Sequence, residues 1–485
     1  MNKANGAENI SRPPCDVVVR NAYVVTMDAT RRIFSPGAVA ILGNSIMEVG
    51  PELSIINNWD AKREIDAKGG VVHPGFIDAH VHIVHGTGRG VFPSSTISAS
   101  TTGALETAKQ SVYFPDWKAG VTPEDEYAAT QLAGLELLRN GFTGFVEPGT
   151  VFDTDSAAAA AEKVGVRALL AGSYLWDQLE IMEYMPGLMT PSLARRVPPD
   201  RDRCMEQLGC ELHRNQDENS LARGYVSVYG LATASDELLC AAKSLADEHG
   251  VAFQQHEGYE QSATQADNKI LGKSRISHLA EIGVLGENAS LIHMNFFEDD
   301  DIKLLAESKS SIIWCPIMFL KMGLGDVRCR IPELKDAGIN IALGIDGAVE
   351  CTIGDAAFAA HLASNYSDGI VTPGDILEMQ TIGAAKTAGI DDFTGSIEAG
   401  KRADLVIRTQ DCAESWPGVN PILQLALMCR AGTVGTVITN GDIVYEDGHS
   451  TRVDETDVYV KAKESVLRRL QRLDVTVPTE WPIVS

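Results

Sequence analysis

The middle of the chain alternates short apolar runs with longer amphipathic stretches. Eight of the runs are candidate strands, and they lie at residues 75–81, 143–147, 166–172, 225–230, 251–256, 290–294, 311–315 and 339–346. Most are separated by helical stretches. The clearest of these covers 126–138, with Thr122 as N-cap, Pro123 at the first position and Gly141 beyond the end. Eight such units predict an α/β fold of the parallel (β/α)₈ TIM-barrel type, whose active site lies at the carboxyl ends of the strands.

The two ends of the chain have a different, strand-rich pattern. Short runs cover 15–27 and 38–49, and similar runs follow Gly400 in ADLVIRT and VGTVITNGDIVYEDG. The NGD at Asn440–Asp442 predicts a hairpin, because Asn-Gly readily takes the positive φ of a type I′ turn. We therefore expect a small composite β-sandwich from 1–72 and 400–455, a barrel from 73–399, and a terminal helix and tail from 456–485.

Four histidines and one aspartate end apolar runs of the predicted barrel. His80 and His82 end the first run, His256 the fifth, His293 the sixth and Asp346 the eighth. His80 and His82 are two positions apart, so both project from one face of their strand. Because strand ends meet at one rim, we expect a preassembled metal site. Zinc is the expected ion for three imidazoles and a carboxylate, with iron, manganese or cobalt as alternatives.

Composition and charge limit the classes of partner. The 485 residues are 44% hydrophobic, and 66 Asp and Glu against 41 Lys and Arg give a net charge of −25. Such a surface repels phosphate backbones and anionic lipid, so we expect a small-molecule substrate and no nucleic-acid or membrane partner. Nine scattered cysteines without a CxxC pair, and the lack of a signal peptide or a long apolar run, favour a soluble cytoplasmic protein.

The segment VVHPGFIDAHVH resembles the first barrel strand and HxH pair of the amidohydrolase superfamily. The similarity extends from about residue 16 to 450. It continues in GVTPEDEYAATQLAGLELLRNGFTGFVE, which resembles that family's first long helix and second strand. LIHMNFFEDDDIKLLAESKSSIIWCP, ALGIDG and GSIEAGKRADLVI resemble its sixth to eighth strands and the return to the sandwich. Within the superfamily the chain is most similar to the aminohydrolases, deaminases and chlorohydrolases that act on nucleobases, triazines and related compounds.

The resemblance implies one divalent metal ion bound by His80, His82, His256 and Asp346, and a metal-bound hydroxide as nucleophile. It implies that His293 contacts the attacked group or orients the water. Asp346 would also accept the water proton, since a carboxylate beside the metal is within reach of it. No lysine ends the fourth strand, so a carboxylysine-bridged pair of metals is not expected.

We therefore expect a metal-dependent hydrolase that cleaves a non-peptide C–N bond in a small heterocyclic or aromatic molecule, as deaminases do. Hydrolysis of an amide, urea or carbamate-type compound, or dechlorination, is the main alternative. A metal-free, non-catalytic barrel is a second alternative. Homo-oligomerisation is expected of such barrels, with the number of subunits open.

At positions expected to contact substrate, the chain departs from the pattern of this branch of aminohydrolases, deaminases and chlorohydrolases. The branch usually has a glutamate three residues after the fifth-strand histidine, where this chain has Tyr259; Glu257 and Glu260 flank it and are the candidate proton shuttles. The fourth strand ends in VYGLAT, where many relatives have a Pro-His pair. The seventh continues as CPIMF, where Ser-Asn commonly follows the Cys-Pro, which makes the pocket more apolar.

Two connections, 86–119 and 173–224, are too long for plain loops and leave the catalytic rim. We expect both connections to form a lid or to line the substrate pocket, although the stretch after 173 equally fits a helix packed on the barrel. The predicted substrate contacts are His85, Tyr229, Trp176, Met318 and Phe319.

Overall fold

The structure is a computed structural model that describes residues 12–91, 116–185, 188–321, 328–347, 351–367, 369–428 and 430–474, with 477, 481 and 484. The strands in these ranges are β1 (Pro14–Val25), β2 (Ile33–Leu42), β3 (Ser45–Pro51), β4 (Asp60–Asp66), β5 (Val71–Pro74), β6 (Phe76–Asp78), β7 (Phe142–Val146), β8 (Arg167–Leu170), β9 (Ala222–Gly224), β10 (Val226–Gly230), β11 (Phe253–Glu257), β12 (Ala289–His293), β13 (Ser311–Trp314), β14 (Ile341–Leu343), β15 (Leu405–Arg408), β16 (Val434–Thr439), β17 (Asp442–Glu446) and β18 (His449–Ser450).

The α-helices in the same ranges are α1 (Glu52–Asn58), α2 (Pro123–Asn140), α3 (Thr154–Val164), α4 (Pro191–Arg196), α5 (Arg201–Gln207), α6 (Asp236–His249), α7 (Gln261–Leu271), α8 (Arg275–Glu281), α9 (Asp299–Ser308), α10 (Pro316–Lys321), α11 (Ile331–Asp336), α12 (Ala356–Ser364), α13 (Pro373–Gln380), α14 (Ile382–Thr387), α15 (Pro421–Leu423) and α16 (Glu455–Leu473). Within the described part of the chain, no helix combines the length and apolarity needed to cross a bilayer.

Both ends of the chain contribute to one nine-stranded sheet. Its order is β18-β17-β16-β15-β5-β1-β2-β3, with β4 paired in parallel to β1. The two flanks meet where β15 pairs antiparallel with β5. The hairpin between β16 and β17 has φ of 53° at Asn440 and 85° at Gly441, the positive values that an Asn-Gly turn supplies at low cost.

Two parallel sheets occupy the middle of the chain. Their orders are β6-β7-β8-β9 and β10-β11-β12-β13-β14, and β9 and β10 are successive parts of one stretch. The first and last strands are hydrogen-bonded neighbours: Ala79 N donates to Leu343 O and Asp346 N donates to His80 O, both at 2.9 Å. Helices separate most of these strands along the chain, which confirms the predicted α/β class.

Helix α2 shows why the local pattern predicted its ends well. The Thr122 side chain accepts a hydrogen bond from Asp125 N while the Asp125 side chain accepts from Thr122 N, which makes a reciprocal capping box. Pro123 occupies the first turn, where a missing N–H costs nothing. Gly141 ends the helix with φ of 86°, a conformation that disfavours side chains with a Cβ atom.

A buried ion pair ties the terminal sheet to the central strands. Arg167 on β8 donates through Nε to Asp404 Oδ2 at 2.6 Å, and both side chains are almost fully buried. Asp404 also accepts from Thr394 Oγ1 at 2.8 Å and from Asn440 N at 2.7 Å. These added hydrogen bonds offset the desolvation of the carboxylate, as a buried pair requires.

Candidate metal centre

The imidazoles predicted at the strand ends lie together. One nitrogen each from His80, His82 and His256 lies within 4.8 Å of the others. Asp346 Oδ1 is 3.1 Å from His82 Nε2 and 3.8 Å from His80 Nε2. Metal–ligand bonds of about 2.0–2.2 Å place two ligands of one zinc ion roughly 3–4 Å apart. The cluster therefore has nearly the size that a single cation needs.

His293 approaches the other oxygen of the same aspartate. Its Nε2 is 3.8 Å from Asp346 Oδ2, and its ring centroid is 5.4 Å from that of His256. His293 has φ of 79° and Asp346 has φ of 64°. Residues with a Cβ rarely adopt this left-handed region, and such strain concentrates at functional sites.

Hydrogen bonds on the far side of two rings set their orientation. His82 Nδ1 donates to Thr150 Oγ1 at 2.8 Å, and that hydroxyl in turn donates to the buried carboxylate of Glu147. His256 Nδ1 donates to the carbonyl oxygen of Tyr229 at 2.6 Å. With the proton on Nδ1, each Nε2 keeps its lone pair for a metal ion.

His80 supplies the test of whether a cation fits. The side chain is fully buried, and among the residues that the structure describes neither ring nitrogen has a hydrogen-bond partner. A buried polar group without a partner is costly, so natural structures rarely leave one. A cation bound at this point would satisfy His80, and the donor set of imidazoles and a carboxylate is one that divalent transition metals accept.

The protonation states suit metal binding. Burial, followed by the neighbouring imidazoles, lowers the pKa of His256 to about 3. Burial lowers the pKa of His293 to about 4. Burial alone would raise the pKa of Asp346, but its electrostatic interactions with His82, His293 and His80 outweigh burial and hold that pKa well below its usual range. Neutral rings and an ionised carboxylate are the forms that ligate metals.

Asp78 braces the strands that carry the site. Its Oδ1 accepts from His80 N at 3.1 Å and from Ile345 N at 3.2 Å, so it links the first and last strands. Burial raises the pKa of Asp78 to about 8. At Gly344, an added Cβ would lie 2.7 Å from the His80 Cβ, so only glycine allows this close approach.

The residues that follow His256 point in different directions. Glu257 is buried beside Arg275, whose Nε lies 3.6 Å from Glu257 Oε1. Glu260 is half-buried and is the N-cap residue of α7. The ring of Tyr259 lies 4.7 Å from that of His293. Tyr259 is therefore the residue of this segment with a ring contact to the cluster, and a shuttle role for either glutamate stays a prediction.

Two of the predicted substrate contacts lie against the metal cluster. The buried His85 ring stacks on His82 at 4.7 Å with 17° between the planes. The Tyr229 ring is 5.1 Å from that of His256. Each side chain therefore contacts a predicted ligand, and its contact with substrate stays a prediction.

The other three predicted contacts lie elsewhere in the packing. Trp176 is fully buried, and its Nε1 donates to Val197 O at 2.8 Å. Its ring reaches Tyr229 at 5.0 Å, one layer behind the cluster. Phe319 belongs to the main hydrophobic core, and Met318 packs half-buried on a second cluster of core residues. Substrate contact by these three residues stays a prediction. The predicted lid 86–119 lies largely outside the described residues.

Two residues of the centre were missed in the sequence, although one carried a signal. Glu147 follows β7, so the rule that singled out Asp346 also applies to it. Thr150 carried no signal, because only the fold places it against His82. Cys315 offers a further donor, since its sulfur, an oxygen of Asp346 and a nitrogen of His80 lie within 4.8 Å of one another.

Comparisons with known proteins agree with this geometry. The amidohydrolase family model matches residues 71–444. The chain is 29% identical over 442 residues to the 5-methylthioadenosine/S-adenosylhomocysteine deaminase of Syntrophobacter fumaroxidans, covering 89% of this chain and 93% of that protein. It is 25% identical over 465 residues to the 5'-deoxyadenosine deaminase of Methanosarcina barkeri, covering 95% and 99%.

Solved structures show the same architecture. A zinc-bound adenosine deaminase from Xanthomonas campestris superposes with a TM-score of 0.81 at 23% identity, over 95% of this chain and 100% of that one. A zinc complex of atrazine chlorohydrolase from Arthrobacter aurescens gives 0.77 at 20% identity, over 93% and 100%. These likenesses support an α/β fold of the TIM-barrel type.

Proposed function

Because this chain belongs to the amidohydrolase family, we propose that it is a divalent-metal-dependent deaminase of a small heterocycle. The family confirms the resemblance inferred from the motifs, and the enzyme is a hydrolase of C–N bonds other than peptide bonds. The observation that carries the proposal is the buried cluster of His80, His82 and His256, with Asp346 at 3.1 Å from His82.

The substrate class that we propose is an adenine nucleoside altered at the 5′ position. Its support is that relatives aligned over about nine-tenths of the chain are deaminases of 5-methylthioadenosine, S-adenosylhomocysteine and 5'-deoxyadenosine. The aromatic rings of Tyr229 and Tyr259 beside the cluster suit a planar base, because aromatic faces stack favourably. Zinc is the proposed metal, since the Xanthomonas campestris relative binds it.

The metal ligands in this proposal are His80, His82, His256 and Asp346. A divalent cation supplies Lewis acidity, which makes water a usable nucleophile near neutral pH and polarises the acceptor atom. Asp346 takes the proton of the attacking water, because its carboxylate is ionised and directed into the cluster. His293, on the second oxygen of Asp346, contacts the electrophile.

The proton for the leaving nitrogen can come from two places. Asp346 can return the proton that it accepted, or Glu257 or Glu260 can deliver one. The buried contact of Glu257 with Arg275 holds that carboxylate beside a cation. Burial raises the pKa of Glu257 to about 7, which suits general acid catalysis at neutral pH if the side chain reaches the substrate.

The finer architecture is also part of the proposal. We propose that the two central parallel sheets close into one eight-stranded barrel through the bridge between Val81 and Asp346. The barrel would span 73–399, the sheet of 1–72 and 400–455 would form a small sandwich, and 456–485 would form the terminal helix and tail. A homo-oligomer in the cytoplasm is the assembly and location that we propose.

A metal and product assay tests the function. The purified protein should bind about one divalent ion per chain and release ammonia from 5'-deoxyadenosine or 5-methylthioadenosine. Asp346→Asn should lower both metal content and turnover, whereas the exposed Asp336→Asn should change neither. Full turnover with full metal in Asp346→Asn would disprove the ligand and base role. Release of an amine from amides or ureas, without ammonia from nucleosides, would favour the alternative hydrolase.

A further inference from the structure

The backbone of the loop after β11 is hydrogen-bonded to the segment after β12. Asn295 N and Phe296 N both donate to Gly258 O, and Met294 N donates to Glu257 O at 3.0 Å. Gly258 has φ of +61°, and a Cβ on it would lie 2.6 Å from Phe296 O. Only glycine fits this position. The loop conformation is therefore determined by its contact with the segment after β12.

This turn separates the directions of the side chains on either side of it. Glu257 lies in a buried charged group with Arg275, whose Nε is also 3.8 Å from Asp267 Oδ2. Tyr259 instead packs its ring on His293, at 4.7 Å with 50° between the planes. The phenol of Tyr259 therefore lies against His293, the histidine predicted to bind the electrophile. The carboxylate of Glu257 pairs with Arg275 instead.

The hydroxyl of Tyr259 is available for a ligand. Among the residues that the structure describes, this hydroxyl has no hydrogen-bond partner, whereas the backbone oxygen of Tyr259 accepts from Asn295 Nδ2. Burial, followed by the charge of Asp346, raises the pKa of Tyr259 above its ordinary value. A neutral phenol near neutral pH is a hydrogen-bond donor that keeps its proton.

We propose that Tyr259 donates a hydrogen bond to the ring heteroatom beside the attacked carbon. When the water oxygen bonds to that carbon, the C=N electron pair moves onto the heteroatom, which becomes negative. Asp346 accepts the water proton and returns it to the amino group, the C–N bond breaks, and ammonia leaves as the electron pair on the heteroatom restores C=N. A donor placed where charge develops lowers the barrier without transferring its proton.

The proposal rests on the deaminase function and adds a rule of substrate choice. A phenol donates and a carboxylate accepts, so Tyr259 favours substrates with an unprotonated acceptor atom beside the attacked carbon. Substrates with an N–H at that position would present two donors to each other, which costs the hydrogen bond. Tyr259 is thus the residue that we assign to catalysis and to substrate selection.

Tyr259→Phe tests the assignment with 5'-deoxyadenosine as the probe, in the metal-loaded enzyme. The removed hydroxyl has no protein partner in the described chain, so folding and metal content should be unchanged. We expect kcat to fall about 10- to 100-fold with KM changed less than about threefold, because the bond strengthens as charge develops. The matched control is Tyr23→Phe in the terminal sheet, whose side chain is exposed, and this variant should equal wild type.

Each outcome has one meaning. Wild-type kcat in Tyr259→Phe would refute the role of Tyr259 while leaving the deaminase function intact. A loss of kcat in Tyr259→Phe that is matched by an equal loss of bound metal would assign Tyr259 a structural role and also refute the inference. A fully metal-loaded wild-type enzyme that releases no ammonia from adenosine, 5'-deoxyadenosine or 5-methylthioadenosine would overturn the proposed function, and the Tyr259 assignment with it.

Discussion

Thr150→Val should weaken metal binding without changing any proposed ligand. The Thr150 hydroxyl accepts from His82 Nδ1 at 2.8 Å and donates to Glu147, and both Thr150 and Glu147 are buried. Valine has nearly the same shape but no hydroxyl, so His82 loses the acceptor that fixes its tautomer. Glu147 would still accept from Gly149 N at 2.7 Å, so the loop should keep its conformation.

The size of the effect follows from these contacts. Loss of a partner behind a metal-binding imidazole typically costs 10- to 100-fold in metal affinity. This corresponds to about 1.4–2.8 kcal/mol. The unpaired His82 N–H is buried, and a buried donor without a partner costs about 1–3 kcal/mol. This second cost lowers the free energy of unfolding, because the hydrogen bond belongs to the folded protein itself.

Competition with a chromophoric chelator would measure the zinc affinity. Thr130→Val on α2 is the matched control, because Thr130 Oγ1 is also buried but has no hydrogen-bond partner within the described ranges. Thr130→Val should bind zinc as the wild type does. A zinc affinity of Thr150→Val within twofold of wild type would refute the idea that Thr150 orients His82.

Three further predictions concern stability. Burial raises the pKa of Glu126 to about 7 from its ordinary 4.5, so between those pH values the native state keeps a proton that the unfolded chain loses. The free energy of unfolding should therefore fall by up to about 3 kcal/mol as pH rises through this window. When this free energy is measured by urea unfolding at several pH values, it should depend less on pH in Glu126→Gln than in the wild type. The exposed Glu124→Gln should show the same pH dependence as the wild type. Asp404→Asn should cost about 3–5 kcal/mol in urea unfolding because it leaves Arg167 buried without its counter-charge, against under about 1 kcal/mol for the exposed Asp202→Asn. Removal of the metal by a chelator should lower Tm and added zinc should restore it, since a ligand at 100 times its Kd contributes about 2.7 kcal/mol; an unchanged Tm would argue against the metal centre.

Much of the fold followed from local patterns. The ends of α2 were predicted well, because a capping residue, an N-terminal proline and a glycine each act within one turn. The last central strand was predicted less well: 339–346 reads as one apolar run, but β14 covers only Ile341–Leu343. The hydrogen-bonded strand ends before Gly344, where the backbone passes close to His80. Because His80 follows the first central strand, far away in the sequence, the local pattern does not predict this end.

At the site too, local patterns predicted some residues and missed those that only the tertiary structure brings together. His80, His82, His256, His293 and Asp346 were found by their position after apolar runs, and the structure places them together. Their supporting partners were not found, because a hydroxyl such as that of Thr150 carries no pattern of its own.

The residue sequence by itself determined which side chains would meet at the rim, because strand periodicity is local and parallel strands end on one side. Only the tertiary structure decided that Glu257 turns to Arg275 while Tyr259 turns to His293. These two directions depend on the hydrogen bonds that Gly258 O accepts from Asn295 N and Phe296 N, after β12. Such contacts between distant segments produce no periodic pattern in the sequence.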